Sequence, residues 1–214
     1  MKKASEHRRE TAYTLETGPE HRRYYDGWAP SYDTKFADAE GYVYPAAVAS
    51  RFLEIADAGD SPVADIGCGT GLVGTKFKGA AFEIDGFDIS PGMIREAEKK
   101  GVYGKLVELD LLDRKDLPVD KYGGLVSCGT FTLGHLGPDG LMNSLVLAKR
   151  GALCVFGINA RHFEQAGFEE FLRRLCREGR TTAPQIETVR IYDSTTDDAD
   201  LVNLAKLAIF RTLE

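Results

Sequence analysis

Residues 64–74 read ADIGCGTGLVG, four glycines in eleven positions directly behind a short apolar run. Counted from Gly69, the residues Gly69, Gly71 and Gly74 fit the G-x-G-x-x-G turn of a dinucleotide site, with Asp88 about 20 residues downstream to hold a ribose. Counted from Asp65, the same letters form an acid-led D-x-G-x-G-x-G turn. Both parses join the end of a strand to the start of a helix, so the fold can be read outward from here before a ligand is chosen.

PVADI (62–66) is a short buried strand and GLVGTKF (71–77) the opening of a helix. FEIDGFDI (82–89), GKLVELDL (104–111), YGGLVSC (122–128) and ALCVFGI (152–158) supply strands two to five. After the second strand Ser90 caps a helix PGMIREAEKK (91–100), Pro91 fits its first turn, Lys99-Lys100 suit its last, and Gly101 takes a left-handed stop. Pro138-Asp139-Gly140 introduces a helix through LMNSLVLAK (141–149) toward Arg150. A helix FEEFLRRLCREG (168–179), a strand IETVRIY (186–192), an acidic loop DSTTDDAD (193–200) and an apolar segment LAKLAIFRTL (204–213) follow. Ahead of the glycine turn, YPAAVASRFLEIADAG (44–59) keeps a helical period and is expected to stop at Gly59. Residues 1–19 read as an arm ending at Gly18-Pro19, and HRRYYDGW (21–28) as an aromatic helix that Pro30 breaks. Strands alternating with helices predict an α/β fold, a parallel sheet covered on both faces.

The chain of 214 residues is long enough for one core, and 43% hydrophobic with 28% charged residues is ordinary globular usage. No apolar stretch approaches the roughly 20 residues that cross a bilayer, and MKKASEHRRE is too polar for a signal-peptide core, so a cytoplasmic location without membrane contact is the expectation. Cys68, Cys128, Cys154 and Cys176 show no metal-ligand spacing, which predicts free thiols and no metal. A net charge of -6 argues against a nucleic-acid partner. Oligomeric state is left open.

Ligands of such a sheet bind at the carboxyl ends of its strands, where strand order reverses. Asp65, Asp88 and Asp110 end the first three strands there. A pyrophosphate over the glycine turn would be repelled by Asp65, by on the order of a few kcal/mol at about 4 Å for an effective dielectric near 20. S-adenosylmethionine has no phosphate, and its sulfonium and amino groups are positive, so the same carboxylate attracts it. Asp88 suits the ribose of either compound. Asp110 can accept from an adenine amino group while the Leu111 N–H meets the ring.

YYDGWAPSYD (24–33), ADIGCGTGLVG, DGFDISPGMIREAEKKGVY (85–103), ELDLLD (108–113) and SCGTFTLGHLGP (127–138) resemble class I S-adenosylmethionine-dependent methyltransferases. More narrowly, they resemble the methyltransferase-like proteins of the Williams-Beuren syndrome region group. The resemblance implies a Rossmann-like, doubly wound, mostly parallel seven-stranded sheet with an antiparallel last strand. It implies an N-terminal arm and lid helix at 1–40 and one cofactor-binding domain at 41–214. By this resemblance Asp65, Gly67, Cys68 and Gly69 lie against the methionyl part, Ile89 and Met93 flank adenine, and Cys128 and Gly129 pass beneath the sulfonium. The aromatic segment folds over the cofactor and brings Tyr25 and Tyr32 to the methyl-transfer region. Two departures stand out: Tyr122-Gly123 replaces the common Tyr-Asp, and Gly151-Ala152 replaces a glycine pair.

A sulfonium is a good leaving group, so alignment and exclusion of water are the main needs, with a base only for a protonated nucleophile. His135, on a glycine-flanked loop, is the first candidate base, and Tyr25, Tyr32 and Asp33 follow. Phe131, Phe156, Phe163 and Phe168 are candidates for an apolar pocket holding a small organic acceptor, S-adenosylhomocysteine being the other product. The alternatives are a cofactor-binding protein without transfer and an NAD-dependent oxidoreductase.

Overall fold

The computed structural model describes residues 9–15, 17–113, 117–194 and 200–213. Residues 1–8 of the expected arm and 195–199 of the expected acidic loop lie outside the described residues. In chain order the elements begin with α1 (Arg9–Ala12), α2 (Gly18–Tyr32), a π-helical turn (Asp33–Ala37), α3 (Asp38–Glu40) and α4 (Tyr44–Ile55). Next come β1 (Val63–Ile66), a 3-10 turn (Gly74–Phe77), β2 (Ile84–Asp88), α5 (Pro91–Glu98), β3 (Leu106–Glu108) and β4 (Tyr122–Phe131). The last elements are α6 (Pro138–Ser144), β5 (Ala148–Asn159), α7 (Ala160–Gln165), α8 (Phe168–Arg177), β6 (Gln185–Arg190) and β7 (Leu204–Arg211).

The strands form one seven-stranded sheet in the order β3-β2-β1-β4-β5-β7-β6. Pairing is parallel from β3 through β5, and β7 runs antiparallel to both its neighbours. This is the doubly wound sheet with an antiparallel last strand that the family resemblance implies. Alternation along the central strands fills two cores. Ala64, Ile66, Cys154, Phe156 and Ile158 join the core that takes in Leu141 of α6 and Phe171 of α8. Val63, Leu153 and Val155 join the other, with Val48 and Phe52 of α4. Strand order reverses beside β1, which pairs with β2 on one side and β4 on the other.

Several boundaries differ from the sequence reading, each for a local reason. Helix α4 ends at Ile55, because Ala56 is extended and Asp57 starts a separate turn in which its carboxylate accepts from the Gly59 N–H at 2.8 Å. Gly59 therefore lies in that turn and does not stop the helix. The turn explains Gly123: a Cβ there would stand 2.4 Å from the Gly59 carbonyl oxygen, so the strand meets backbone where an aspartate would clash. GLVGTKF opens no α-helix, only the 3-10 turn at Gly74–Phe77, where the Tyr103 ring occupies the space a Gly74 side chain would need. The helix expected through LMNSLVLAK ends at Ser144, and Ala148 already pairs with Tyr122 in the sheet. Gly18 and Pro19 begin α2 rather than end an arm, with Thr17 and Glu20 forming a reciprocal cap. Pro30 does not break α2: Trp28 and Ala29 are buried, and Asp26, one turn earlier, is fastened to α5. Phe131, Phe156, Phe163 and Phe168 are core residues packed on one another, and none lines the cavity at the carboxyl ends of β1, β2 and β4.

Candidate functional site

The glycine turn leaves β1 with Gly67 at φ 66° and Gly69 at φ 55°, left-handed conformations that favour glycine. A Cβ on Gly67 would collide with the Thr130 hydroxyl, whereas one on Gly69 would meet nothing within 4 Å. Gly69 thus faces open room, a cavity of about 210 Å³ at the carboxyl ends of β1, β2 and β4. Two carboxylates, Asp88 and Asp110, stand in its wall, and among the described residues no lysine or arginine does.

Asp88 ties the turn to β2. Its two oxygens accept from the N–H groups of Gly69 and Ser90, each at 2.8 Å. Burial pushes its carboxyl up to about 6 against the pull of those bonds. Ser90 caps α5 as the sequence predicts, accepting from the Met93 N–H at 3.1 Å, and Gly101 takes the left-handed stop at φ 61°. Ile89 and Met93 line the cavity beside Asp88. Asp110 accepts from the Leu112 N–H at 2.9 Å and lies near Gly18, where a Cβ would stand 3.1 Å from its second oxygen. Leu111 lines the same end, and its carbonyl is held by Asn143.

Asp65 is placed differently from its neighbours. It lies behind the turn, fully buried and off the cavity wall, where Tyr103 donates to its Oδ2 at 2.7 Å and Oδ1 has no partner. Burial raises its carboxyl to about 7, opposed by the Tyr103 bond and helped by the charge of Asp88. A carboxyl raised on folding stays protonated where the unfolded chain has ionised, so its contribution to stability is present at low pH and lost as pH rises through about 7. Asp65→Asn keeps an acceptor for Tyr103 and has no charge to bury. Calorimetric scans are expected to favour this variant over the wild type increasingly, by several degrees, from about pH 4 to about pH 8. An offset that does not change with pH would show that Asp65 titrates normally.

Helix α2 roofs the cavity with Gly18, His21, Tyr25 and Tyr32. Besides an exposed ion pair of Arg22 with Glu108 at 2.6 Å, three attachments stand out. Asp26 accepts from the Ser90 hydroxyl and the Gly92 N–H, each at 2.7 Å, and so caps the N-terminus of α5 from another helix. Asp33 accepts from the Thr70 hydroxyl and from Lys100, which also donates to the Thr70 carbonyl. These bonds tie Asp33 into a clamp on the glycine turn. The third attachment is Tyr25, bonded to His135 at 2.8 Å. Asp26→Ala is expected to lower stability by about 1–2 kcal/mol and to speed amide exchange across 18–32. Unchanged exchange there would mean that the remaining attachments suffice.

The protonation of the third attachment follows from geometry. His135 Nδ1 lies 2.9 Å from the Leu133 carbonyl oxygen, which only accepts, so Nδ1 carries the proton. Nε2 is then the acceptor and the Tyr25 hydroxyl the donor. Burial lowers the imidazole to about 4, and the nearby His21 and His162 lower it further. Burial raises the Tyr25 phenol, with Asp88 adding to the effect. Both groups are neutral across the physiological range.

The structure thus gathers Tyr25, Tyr32, Gly67, Cys68 and Gly69 on one wall system with Asp88, Ile89, Met93, Asp110 and Leu111, and with Cys128, Gly129 and His135. Of the residues singled out from the sequence, Asp65 stands behind that wall, Asp33 is held by Thr70 and Lys100 outside it, and Phe131, Phe156, Phe163 and Phe168 lie in the core. Sequence reasoning missed Thr130, whose hydroxyl donates to the Ile66 carbonyl at 2.9 Å, and Tyr103, which joins Asp65 to the Gly74 N–H. Tyr103 lies in the KKGVY stretch, and an aromatic directly after a helix stop was the one available signal. It missed Tyr42 too, whose hydroxyl lies 3.6 Å from Cys128 Sγ.

Residues 63–150 match a family described as a methyltransferase domain. Human methyltransferase-like protein 27 is 31% identical over 137 residues, 61% of this chain and 54% of that protein, so the match spans about half the length of that relative. Magnesium protoporphyrin IX methyltransferase from Synechocystis PCC 6803, solved with bound S-adenosylmethionine, superposes with a TM-score of 0.66 at 17% identity, over 92% of this chain and 98% of its own. A TehB-like methyltransferase from Corynebacterium glutamicum gives 0.58 at 21% identity, over 91% and 99%.

Proposed function

Because the chain carries the class I S-adenosylmethionine-dependent methyltransferase fold, we propose that it binds S-adenosylmethionine in the 210 Å³ cavity and transfers the methyl group to a small organic acceptor, releasing S-adenosylhomocysteine. The observation that carries this reading is the wall itself. It pairs two strand-end carboxylates with a glycine turn open at Gly69 and, among the described residues, holds no lysine or arginine to balance a pyrophosphate. The reaction is assigned to the cytoplasm and to a small molecule rather than a nucleic acid, supported by the net charge of -6. No helix among the described residues is long and apolar enough to cross a membrane.

In this reading Asp88 accepts from the ribose hydroxyls, each of its oxygens keeping a lone pair beyond the backbone bond already made. Asp110 and Leu111 meet the polar edge of adenine, with Ile89 and Met93 against its faces. Gly67, Cys68 and Gly69 let the backbone approach the methionyl part, with Asp65 buried behind the turn. The cofactor supplies a methyl group on a positively charged sulfur that is already a good leaving group. The roof of α2 excludes water, and Tyr25, backed by His135, places a hydroxyl where an acceptor would shed its proton.

Calorimetric titration with S-adenosylmethionine, S-adenosylhomocysteine and NAD tests the assignment. Binding of the two adenosyl compounds and not of NAD is expected. Binding of NAD alone would move the protein to redox chemistry.

A further inference from the structure

A second cavity, of about 60 Å³, lies behind the roof helix and shares Tyr25, Tyr32, Tyr42 and Gly129 with the larger one. Its wall is built of rings: Trp28 from α2, Phe36 from the π turn, Tyr44 from α4, and Tyr13 and Tyr192 from the flanking segments. The rings hold one another, Trp28 to Phe36 at 5.1 Å, Phe36 to Tyr42 at 5.3 Å and Tyr42 to Tyr192 at 5.8 Å between centroids. No Asp, Glu, His, Lys or Arg stands in this wall among the described residues. The amide of Asn159 is engaged at both ends, accepting from the His162 N–H and donating to the Val202 carbonyl. Tyr44 is 2% exposed, and its hydroxyl has no partner in the protein.

We propose that this cavity receives the methyl acceptor and that the acceptor is a small neutral thiol. The inference rests on the cofactor assignment above and on the wall that the two cavities share at Tyr25, Tyr32, Tyr42 and Gly129, across which the methyl group would meet an acceptor in the smaller one. The wall selects by what it lacks. A carboxylate acceptor would meet no basic group. An amine would arrive as an ammonium; aromatic faces attract a cation, but this one would stand next to the sulfonium with no carboxylate in the wall to neutralise it. An alcohol occupies the same space but holds its proton far more tightly than a thiol, whose ordinary pKa is about 8.5, and the acceptor available through Tyr25 is the weakly basic His135. A thiol sulfur is polarizable and makes favourable contacts with aromatic ring edges. The step balances: the S–H proton passes through the Tyr25 hydroxyl to His135 Nε2, the thiol sulfur forms a bond to the methyl carbon, and the pair from the broken carbon–sulfonium bond stays with the departing thioether.

Trp28 is the sole tryptophan of the chain, so the cavity carries its own fluorophore. Ethanethiol, ethylamine, ethanol and propionate would be titrated separately into protein saturated with S-adenosylhomocysteine, following Trp28 emission, and then supplied with S-adenosylmethionine, following methylated product by mass spectrometry. A saturable emission change with ethanethiol alone, and ethyl methyl sulfide as the sole product, is the expected result. Tyr192→Leu and Ala12→Leu, both at residues of the small cavity and not of the large one, are expected to raise the thiol KM at least tenfold while cofactor affinity stays within twofold. Retained cofactor affinity also reports that these variants are folded. Methylation of the amine, alcohol or carboxylate in place of the thiol, or no methylation of any probe by protein that binds the cofactor, would overturn this inference and leave the cofactor assignment standing. Failure to bind either adenosyl compound would overturn both.

Discussion

Asp88→Ala is expected to weaken S-adenosylmethionine binding by at least about 100-fold. Two ribose hydroxyls bonded to one buried carboxylate are worth roughly 1.5–3 kcal/mol each, and the alanine removes both. It also leaves the N–H groups of Gly69 and Ser90 without the oxygen that each bonds at 2.8 Å, so the turn loosens as well as losing a ligand contact. Asp88→Asn, retaining one acceptor oxygen, should fall between the variant and the wild type. The carboxyl must be ionised to accept from both hydroxyls, and burial holds it at about 6. Cofactor affinity in the wild type should therefore drop toward tenfold per pH unit below about pH 6, and the alanine variant should lose that dependence. Calorimetric titration at several pH values reads both effects. Wild-type affinity in a folded Asp88→Ala protein would remove the carboxylate from the site.

Tyr25→Phe and His135→Ala should each lower kcat by roughly 10²–10⁴, the span typical of a positioned proton acceptor, with cofactor affinity little changed. The hydroxyl and the imidazole act through one bond of 2.8 Å, so the double variant should be scarcely slower than either single one. The imidazole, lowered by burial to about 4, stays neutral through the ordinary working range. A kcat profile with no loss near pH 6.5 is the corresponding signature. Multiplicative losses in the double variant, or an acid limb at an unperturbed imidazole value, would show that the two groups work separately.

The strands, the glycine turn and the acids at the strand ends were legible because each is local: apolar runs, glycines at fixed spacing and aspartates at or just past the strand ends. The Ser90 cap and the Gly101 stop were legible for the same reason. Errors arose where a distant residue decides. Nothing near Gly74 announces that Tyr103 will fill the space a helix side chain needs, and nothing near Lys149 shows that the sheet claims Ala148 opposite Tyr122. Pro30 is a helix breaker by its own chemistry, yet attachments made by Asp26 and Asp33 to residues more than thirty positions away hold the helix around it. The acceptor side was least legible. Phe131, Phe156, Phe163 and Phe168 have the composition of a pocket and the address of a core, whereas the rings that do surround a cavity come from both ends of the chain.

The π-helical turn at Asp33–Ala37 makes the roof a matter of phase. Such a turn holds one residue more than the α-helical path it interrupts, and one residue corresponds to about 100° of rotation. Deleting a single residue there would let the turn relax to α-helix and swing all of Gly18–Tyr32 around its axis, carrying Tyr25 and Tyr32 off the cavity with every side chain still present. In this protein a frame of one residue outside the site sets which face of the roof helix looks inward, and a lineage that gained or lost that residue would acquire a new inner surface in one step.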